Sequence, residues 1–560
     1  MIIGLDVGGT HTDVVLLGSE GLLKEFKIAT DPLDLFQTVL SALETVTAGI
    51  DPQQIRRIVL STTLTTNAIA QNKLSPVGMI VSSGPGIDPE ALRTNPLFFP
   101  VSGSIDHRGR EVQPVDLREI QSITATLQAV GVRYVGVVGK FSVRNPQHEL
   151  LIRDVLRERF DRVFLGHQVS GNLNFARRVA TTYLNAAVYP VHRRFFDAVH
   201  RSLAQKGLQV PLYILKADGG TMNLEASMEF PGQTILSGPA ASVMGAVAFA
   251  PLLVDAMVLD IGGTTTDMAV IRNRIPSLHP IGVRLGGFRT LIRSLETRSI
   301  GIGGDSCVTV VDGALKIGPE REGPAMAFSG EYPTPTDALH VLGEMTGGDR
   351  DRATGGIKSI ATALQLSIEA AAEQIVDQAC RMILSEVLSL VDRINNRPVY
   401  TIQDLQQEDR VDPKVLLFVG GPAPVFARRL EALSGLRVRL VPRWQVANAI
   451  GAALARTTCE VTVFADTQLG LVMAPEEGFT DKIDRNYTAR HAVDQARVLL
   501  KEKARKIGAF DEDLEMEVVE EQQFNMVRGF LTTGKNIRVK VQVKPGLIRE
   551  FGTVAQKLAD

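Results

Sequence analysis

Two short polar segments with nearly the same sequence are the first candidates for a chemical role. LDVGGTHTD spans residues 5–13, LDIGGTTTD spans residues 259–267, and seven of the nine positions are identical. In each, a strand is predicted to end at Asp, two glycines turn the chain, and Thr-x-Thr-Asp begins the returning strand. Glycines let the backbone approach a ligand closely, and backbone N–H groups at such a turn form a concavity of anion size. Each segment is therefore predicted to be a β-hairpin that can bind phosphate.

The aspartates of these segments limit what the hairpins could do. Asp6 and Asp260 would repel a bare phosphate, but Mg²⁺ between carboxylate and phosphate, usually keeping its waters, makes the arrangement favourable. Asp13 and Asp267 are predicted to brace their hairpins. One Asp-x-Gly-Gly hairpin alone is a common structural turn. The repetition, with Thr and Asp at matching offsets, favours two hairpins that face one cleft and grip the same triphosphate.

Three further groups of polar residues are candidates for binding a substrate. The first follows a predicted buried strand and consists of Thr62, Thr63, Thr65 and Asn67. A cluster of helix N-caps explains this group equally well. The second consists of Arg144, Asn145 and His148, where Pro146 and a predicted helix start make capping an equal explanation. The third consists of Asp218, Gly219, Gly220 and Ser237.

The composition narrows the classes of partner. The 560 residues are 44% hydrophobic and 22% charged with a net charge of −2, which is typical of a globular protein of several domains. The near-neutral charge and 5% aromatic content argue against nucleic acid or an anionic membrane as partner. Three widely spaced cysteines, Cys307, Cys380 and Cys459, fit a reducing cytoplasm. The most apolar stretch, 243–261, is interrupted by Pro and Asp, and the N-terminus lacks a signal-peptide pattern, so a cytoplasmic location is expected.

The elements that must position these residues suggest three parts. Residues 1–180 alternate predicted strands and helices, which indicates an α/β lobe. Residues 181–460 form a second lobe that contains the second hairpin segment. Residues 461–560 are richer in charge and are predicted to form a small α+β domain. Within the second lobe, 367–394 is predicted to be a long helix and 343–358 a flexible loop.

The motifs together resemble a known superfamily. The two hairpin segments resemble the two phosphate motifs of the actin-like ATPase and sugar-kinase superfamily. LLFVGGPAPVF, 416–426, resembles its adenosine motif, and NAIGAALA, 448–455, resembles its second connecting helix. Within that superfamily the resemblance narrows to the hydantoinase A/5-oxoprolinase family and covers residues 1 to about 456. The segments that carry it are STTLTTNAI (61–69), FSVRNPQHE (141–149), KADGGTM (216–222), LSGPAASVMGA (236–246), SIGIGGDS (299–306) and PTPTDALHVLG (333–343).

The resemblance implies a fold and a set of site residues. The fold is α/β, a two-lobed duplicated actin-like ATPase (ribonuclease H-like) fold with a small C-terminal α+β appendage. ATP and Mg²⁺ are the implied cofactors, with Asp6 and Asp260 as catalytic residues that hold the metal. The implied nucleotide contacts are Gly8, Gly9, Thr10 and Thr12 on one side of the phosphates, Gly262, Gly263, Thr264 and Thr265 on the other, and Gly420 and Gly421 facing the adenosine. The implied substrate contacts are Thr62, Thr63, Asn67, Asp218 and Ser237.

The implied activity is that of an ATP-dependent hydrolase that opens a cyclic amide such as a hydantoin or 5-oxoproline. Phosphorylating the carbonyl oxygen gives a poor electrophile a good leaving group, and the enzyme's task is positioning and charge stabilisation. A small-molecule kinase or carboxylase subunit of the same superfamily is an alternative, as is a non-catalytic ATP-gated regulatory module. The family leaves open a separate hydantoinase B-type subunit and a homo-oligomer. Neither nucleic acid nor a membrane is expected as a partner.

The sequence also departs from the family pattern at several positions. His11 stands where the family usually has an aromatic residue, and Asp305 stands where glycine and serine usually continue. Segment 320–332 lacks the usual cysteine–tyrosine–glycine pattern, and the tail from 461 is dissimilar. Substrate choice could therefore differ from that of the named family enzymes.

Overall fold

The computed structural model describes residues 1–9, 11–31, 34–397, 410–528 and 530–549. The strands are, in chain order, β1 Ile2–Val7, β2 His11–Gly18, β3 Gly21–Ala29, β4 Arg57–Thr62, β5 Val77–Ser82, β6 Phe98–Pro100, β7 Ser104–Ile105, β8 Glu111–Gln113, β9 Tyr134–Gly139, β10 Arg162–Leu165, β11 Leu212–Leu215, β12 Thr221–Asn223, β13 Ala256–Ile261, β14 Thr266–Arg272, β15 Ile275–Pro276, β16 Arg284–Leu285, β17 Phe288–Arg289, β18 Thr297–Ile300, β19 Val308–Val311, β20 Ala314–Ile317, β21 Val415–Val419, β22 Arg437–Leu440, β23 Glu460–Asp466, β24 Leu471–Ala474, β25 Phe479–Lys482, β26 Met516–Arg528 and β27 Leu531–Val543. The α-helices are α1 Leu35–Thr47, α2 Leu64–Ala70, α3 Leu117–Ala129, α4 Gln147–Leu156, α5 Gly166–Val169, α6 Phe175–Gln205, α7 Leu224–Glu229, α8 Ser237–Val247, α9 Pro335–Val341, α10 Arg350–Leu364, α11 Ile368–Asn395, α12 Ala423–Ser434, α13 Ala447–Leu454 and α14 Ala489–Lys506.

The first large sheet has the strand order β12-β11-β4-β1-β2-β3. β1 is antiparallel to β2 and parallel to β4, and β4 is parallel to β11. Every residue of β1 is buried, as expected for a strand covered on both faces. The carboxyl ends of β1, β4 and β11 lie at the same edge of the sheet, because the three strands run in the same direction. This sheet draws on residues 212–223 as well as on residues 2–62, so it crosses the boundary expected at 180.

The second large sheet repeats the same connectivity. Its order is β15-β14-β13-β21-β22, with β18 also paired to β14. β13 is antiparallel to β14 and parallel to β21, which in turn is parallel to β22. Each large sheet therefore has a central strand with a hairpin partner on one side and a parallel partner on the other. The duplicated two-lobed α/β fold predicted from the sequence is confirmed.

Two helices rich in small residues, α8 and α13, pack between the two large sheets. They share one hydrophobic core with residues of β1, β2, β13 and β21. A Cβ atom added at Gly451 would lie 2.2 Å from the carbonyl oxygen of Ala241, and one added at Gly245 would lie 2.3 Å from that of Ala447. A Cβ atom at Gly4 of β1 would lie 2.2 Å from the carbonyl oxygen of Ala449. The glycines therefore allow backbone contact between the helices and between α13 and the first sheet.

A smaller parallel sheet and a C-terminal unit complete the described structure. The small sheet has the order β10-β9-β5-β6 and packs against α6, a helix of 31 residues. The C-terminal unit is a five-stranded sheet, β25-β24-β23-β27-β26, with α14 packed on it. This agrees with the α+β appendage expected after residue 461. Among the described residues, none of the helices combines the length and apolarity needed to cross a bilayer.

One local prediction was wrong. Segment 343–358, expected to be a flexible loop because of its glycines and charges, contains the first half of α10. The Asp349 side chain caps this helix by accepting hydrogen bonds from the N–H groups of Asp351 and Arg352, both at 3.0 Å. Ala353 and Ile357 are both buried, and Ile357 belongs to the core of the second lobe. Capping and burial on one face outweigh the low helix propensity of Gly355 and Gly356.

Candidate functional site

The two repeated segments form hairpins with the same closing geometry. The N–H of Gly8 donates to the carbonyl of His11 at 3.0 Å, and the N–H of Gly262 donates to the carbonyl of Thr265 at 2.9 Å. Asp6 lies opposite Asp13, and Asp260 lies opposite Asp267. The matching aspartates and glycines of the two segments therefore occupy equivalent positions in the two lobes. We refer to residues 6–13 as the first hairpin and to residues 260–267 as the second hairpin.

Asp6 and Asp260 are each held by one of the two helices between the lobes. The side-chain amide of Asn448 in α13 donates to Asp6 Oδ2 at 3.2 Å. The hydroxyl of Ser242 in α8 donates to Asp260 Oδ2. Burial raises the pKa of Asp6 to about 6, with the charges of Asp13 and Asp260 adding to the shift. The pKa of Asp260 is also raised, mainly by burial.

These carboxylates fit a divalent cation. Asp6 Oδ1 is buried and accepts no hydrogen bond within the described part of the chain. A cation beside it would supply the missing partner and offset the repulsion between the buried Asp6 and the half-buried Asp260. The described residues contain no group of three or more His, Cys, Asp or Glu side chains placed to hold a metal. A Mg²⁺ ion on Asp6 and Asp260 would therefore complete its coordination with waters and with phosphate oxygens, as this ion commonly does.

The remaining aspartates of the hairpins have different surroundings. Asp13 forms an ion pair with Lys27 of β3 at 2.9 Å, which is consistent with bracing the first hairpin. Asp267 lies opposite Ser299 of β18. Burial, together with the nearby charge of Asp260, raises the pKa of Asp267 to about 7.

The threonines of the hairpins divide into two kinds. Thr12, expected to contact phosphate, is fully buried, and its hydroxyl shares a hydrogen bond of 2.8 Å with Thr30. Its counterpart Thr266 donates to the carbonyl of Ile302 at 2.7 Å. The Thr12 hydroxyl therefore supports the hairpin from inside the protein, because every residue of β2 after His11 is buried. Thr264 is exposed and Thr265 is half-buried at the second hairpin's tip. Thr10 lies outside the described residues.

The glycine turn after β21 lies directly against the second hairpin. Gly420 has φ +96°, and a Cβ atom there would lie 2.6 Å from Asp260 Oδ1 and 2.3 Å from the carbonyl oxygen of Ile261. Only glycine meets both constraints. A Cβ atom at Gly421 would have no atom within 4 Å, so this position opens into free space. The four hairpin glycines, Gly8, Gly9, Gly262 and Gly263, do not adopt positive φ.

A segment after β18 forms a further wall of the site. The N–H groups of Gly304 and Asp305 donate to the carbonyls of Gly262 and Gly263 at 3.0 and 2.7 Å. Asp305 Oδ2 would lie 2.5 Å from a Cβ atom at Gly263, and it pairs with Arg321 at 2.9 Å. Burial raises the pKa of Asp305, while Arg321 opposes the shift. The sequence marked Asp305 only as a departure from the family, and no sequence signal placed Arg321 at the second hairpin.

The predicted substrate residues Thr62, Thr63 and Ser237 meet beside the first hairpin. The N–H of Thr63 donates to the carbonyl of Val7 at 3.4 Å, and the Ser237 hydroxyl donates to the carbonyl of Thr62 at 2.8 Å. The Thr62 hydroxyl accepts from the N–H of Leu64 at 3.2 Å, which is a local capping contact. Thr63, although it precedes α2, makes no capping hydrogen bond through its side chain. Asn67 is exposed and reaches only the Thr63 hydroxyl, at 3.4 Å.

Asp218 belongs to a different, buried polar cluster. Its Oδ2 accepts from the Thr458 hydroxyl at 2.8 Å and lies 3.2 Å from Lys216 Nζ and 3.3 Å from Arg293. Its Oδ1 accepts from the N–H of Gly220 at 3.0 Å. These charges hold the pKa of Asp218 below its ordinary value, although burial alone would raise it. The cluster joins the first sheet to the strand that leads into the C-terminal unit.

Comparisons with known proteins agree with this architecture. The N-terminal-region model of hydantoinase/oxoprolinase matches residues 2–160, and the hydantoinase/oxoprolinase model matches residues 178–461. Caprolactamase subunit alpha of Pseudomonas jessenii is 26% identical over 479 residues, which cover 79% of this chain and 68% of that one. The acetone carboxylase beta subunit of Xanthobacter autotrophicus is 24% identical over 543 residues, which cover 86% of this chain and 72% of that one. The crystal structure of the ATP-dependent caprolactamase from Pseudomonas jessenii has the same fold, with a TM-score of 0.72 at 21% identity, covering 98% of this chain and 88% of that one. With both family models matched in order along one duplicated fold, the chain belongs to the hydantoinase/oxoprolinase family.

Proposed function

We propose that the protein binds Mg-ATP between the two hairpins and uses it to open a cyclic amide by phosphorylating the carbonyl oxygen. The observation that carries the proposal is the pair of carboxylates formed by the buried Asp6 and the half-buried Asp260. They stand at equivalent positions of two duplicated hairpins and are tied to helices that lie between the lobes. We assign the backbone N–H groups of Gly9 and Gly263 to the phosphates. An added Cβ atom at Gly421 would meet no atom within 4 Å, which would leave room for the adenosine.

The chemistry follows from the weakness of an amide as an electrophile. The carbonyl oxygen attacks the terminal phosphorus, the bond to the bridging oxygen breaks, and ADP leaves. Water then adds to the activated carbon, and the ring C–N bond breaks as the nitrogen takes up a proton, which leaves an acyl phosphate. A second water hydrolyses the acyl phosphate to the carboxylate and phosphate. The sum is cyclic amide, ATP and two waters giving the ring-opened amino acid, ADP and phosphate. A bound Mg²⁺ would neutralise charge on the phosphates, while Asp6 and Asp260 would hold it and orient the reacting groups.

The relatives support this class of reaction and also define its alternative. One relative is named a caprolactamase subunit, and another is named an acetone carboxylase subunit. We propose the cyclic amide as substrate because the caprolactamase subunit is a relative whose named activity opens such a ring. A ketone together with bicarbonate is the alternative pair of substrates. Since both relatives are named as subunits, a separate B-type subunit is proposed as the partner for full activity, in the cytoplasm.

The test is substrate-stimulated ADP formation. Lactams, hydantoins and 5-oxoproline are added with Mg-ATP, with and without a candidate B-type subunit, and ketones with bicarbonate form a parallel arm. Asp6→Asn and Asp260→Asn are each expected to lower stimulated ADP formation by about 100-fold, because an amide does not replace a carboxylate at a metal site. Asp197→Asn is the control, since its side chain on α6 is 62% exposed.

Three outcomes distinguish a hydrolase, a carboxylase and a regulatory ATPase. Ring-opened product formed with ADP in equal amounts supports the hydrolase. A carboxylated product seen only with ketone and bicarbonate replaces it by the carboxylase. The third outcome is slow ADP formation that no carbonyl compound stimulates, even with the partner subunit present. That result would favour a regulatory ATPase and contradict the proposal.

A further inference from the structure

A large cavity lies between the first lobe and the C-terminal unit. Its volume is about 870 Å³, within the range of sites that bind small molecules. The described residues that line it come from segments 108–110, 144–150, 167–168, 223–230, 469–480 and 503–507, and none belongs to either hairpin. One of these segments is the FSVRNPQHE motif, for which the proposed ATP chemistry gives no role.

Arg144 of that motif brings a positive charge to the cavity. Its guanidinium carbon lies 4.1 Å above the ring centre of Phe464. Its Nε is buried and donates no hydrogen bond within the described part of the chain. Asp466, the acid whose charge acts on Arg144, already forms an ion pair with Arg108 at 3.1 Å. Burial and the charge of Arg538 lower the pKa of Arg144 to about 10, so the side chain is a cation at neutral pH.

The position of Arg144 is fixed by its neighbours. The side-chain amide of Asn145 donates to the carbonyl of Gly109 at 2.9 Å, and its oxygen accepts from the N–H of Gln147 at 3.0 Å. His148 shares a hydrogen bond of 2.7 Å with Glu111. Asn145 and His148, which the sequence analysis considered either as substrate contacts or as capping residues, stabilise the turn that carries Arg144. Stacking on Phe464 leaves the guanidinium little freedom to leave the cavity.

The rest of the wall suits a ligand with an apolar body. Leu150, Phe230, Leu471 and Met473 line the cavity together with Glu476. Burial raises the pKa of Glu476 to about 8, which lessens the repulsion that this carboxyl exerts on an anion, and Lys503 Nζ lies 3.9 Å from its Oε2. Arg144 is half-buried, and partial withdrawal of a cation from water without a counter-ion is unfavourable. A bound carboxylate would offset that cost by charge-assisted hydrogen bonds.

We propose that this cavity is a second binding site, for a small organic carboxylate whose anionic head pairs with Arg144 and whose apolar body contacts Phe230 and Met473. The site is separate from the two hairpins, since none of its described lining residues lies in 6–13 or 260–267. It ties together the first lobe and the C-terminal unit, since both supply its walls. Occupation would therefore stabilise the contact between those two parts.

The test uses hexanoate as the probe and hexanamide as its uncharged counterpart. Binding to the full chain is measured by isothermal titration calorimetry and by the shift of the melting temperature, both in the absence of ATP. Hexanoate is expected to bind and to raise the melting temperature, and hexanamide is expected to bind at least tenfold more weakly. Arg144→Met is expected to weaken hexanoate binding at least tenfold, because it removes the charge and keeps an apolar side chain of similar length.

Two further variants keep the experiment decisive. Arg144→Lys retains a charge and is expected to bind hexanoate within a fewfold of the unsubstituted chain, even if Arg144→Met proves unstable. Arg110→Met removes a cation at the cavity rim that is 64% exposed and already paired with Asp106, and it is expected to change affinity by less than twofold. Absence of hexanoate binding, equal binding of hexanamide, or equal loss in Arg110→Met and Arg144→Met would each overturn the proposal. None of these readouts depends on ATP turnover, so failure here leaves the proposed function untouched.

Discussion

The contact between α8 and α13 provides a sharp test of how the two lobes are joined. A Cβ atom at Gly451 would lie 2.2 Å from the carbonyl oxygen of Ala241 and 2.3 Å from the backbone nitrogen of Gly245. Ordinary van der Waals contact for such an atom begins at about 3.4 Å. Gly451→Ala therefore requires the two helix backbones to separate by roughly 1 Å. Both obstacles are backbone atoms, so no side-chain rotation can relieve the clash.

The expected cost can be worked out from two opposing effects. Overpacking of a tight core costs about 1–3 kcal/mol, and more is expected here because backbone must move. Replacing glycine by alanine inside a helix returns about 1 kcal/mol of helix propensity. The net expectation is a destabilisation of about 2 kcal/mol, seen as a fall of a few degrees in the melting temperature. The same movement would pull Asn448 and Ser242 from Asp6 and Asp260, so stimulated ADP formation is expected to fall as well.

The matched control is another glycine inside a helix. Gly355 of α10 has no atom within 4 Å of an added Cβ. Gly355→Ala is therefore expected to leave the melting temperature unchanged or to raise it slightly, with normal ADP formation. Melting is followed by circular dichroism and calorimetry under identical conditions. If Gly451→Ala melts at or above the temperature of the unsubstituted chain and forms ADP normally, the helices do not pack as described and the reasoning is refuted.

Two further predictions concern the second hairpin. The pKa of Asp267 is raised to about 7 in the folded chain, against about 3.9 in the unfolded chain. The contribution of Asp267 to folding stability is therefore fully present below about pH 4 and is lost as the pH rises through 7. Asp267→Asn removes this loss, so its melting temperature relative to the unsubstituted chain should increase between pH 4 and 8, and a constant difference across that range would contradict the assignment. Arg321→Met leaves the Asp305 carboxylate unpaired beside Gly263 and is expected to weaken Mg-ATP binding, measured by equilibrium dialysis. Adding Asp305→Asn should recover part of that affinity, and a further loss in the double variant would show that the carboxylate helps rather than hinders the nucleotide.

The sequence by itself determined the parts that depend on local spacing. The two hairpins could be found because turn glycines and strand-end aspartates recur at fixed offsets, and their closing hydrogen bonds are indeed equivalent. The duplicated fold and its small-residue helix, 448–455, follow from the same kind of pattern. The roles of Asp6, Asp260 and the other proposed nucleotide contacts stay predictions until variants are measured.

Tertiary structure decided the contacts between residues far apart in the chain. Thr12 turns its hydroxyl to Thr30, because strand alternation and the neighbouring β3 fix that face. Arg321 contacts the second hairpin through its ion pair with Asp305. Asp466, which lies near Arg144, forms its ion pair with Arg108 instead. Helix and strand periodicities report which face of an element is buried, but they do not say which distant element covers it. The pairing of distant side chains, the packing of elements and the shape of the cavity between the first lobe and the C-terminal unit arise only when the whole chain has folded.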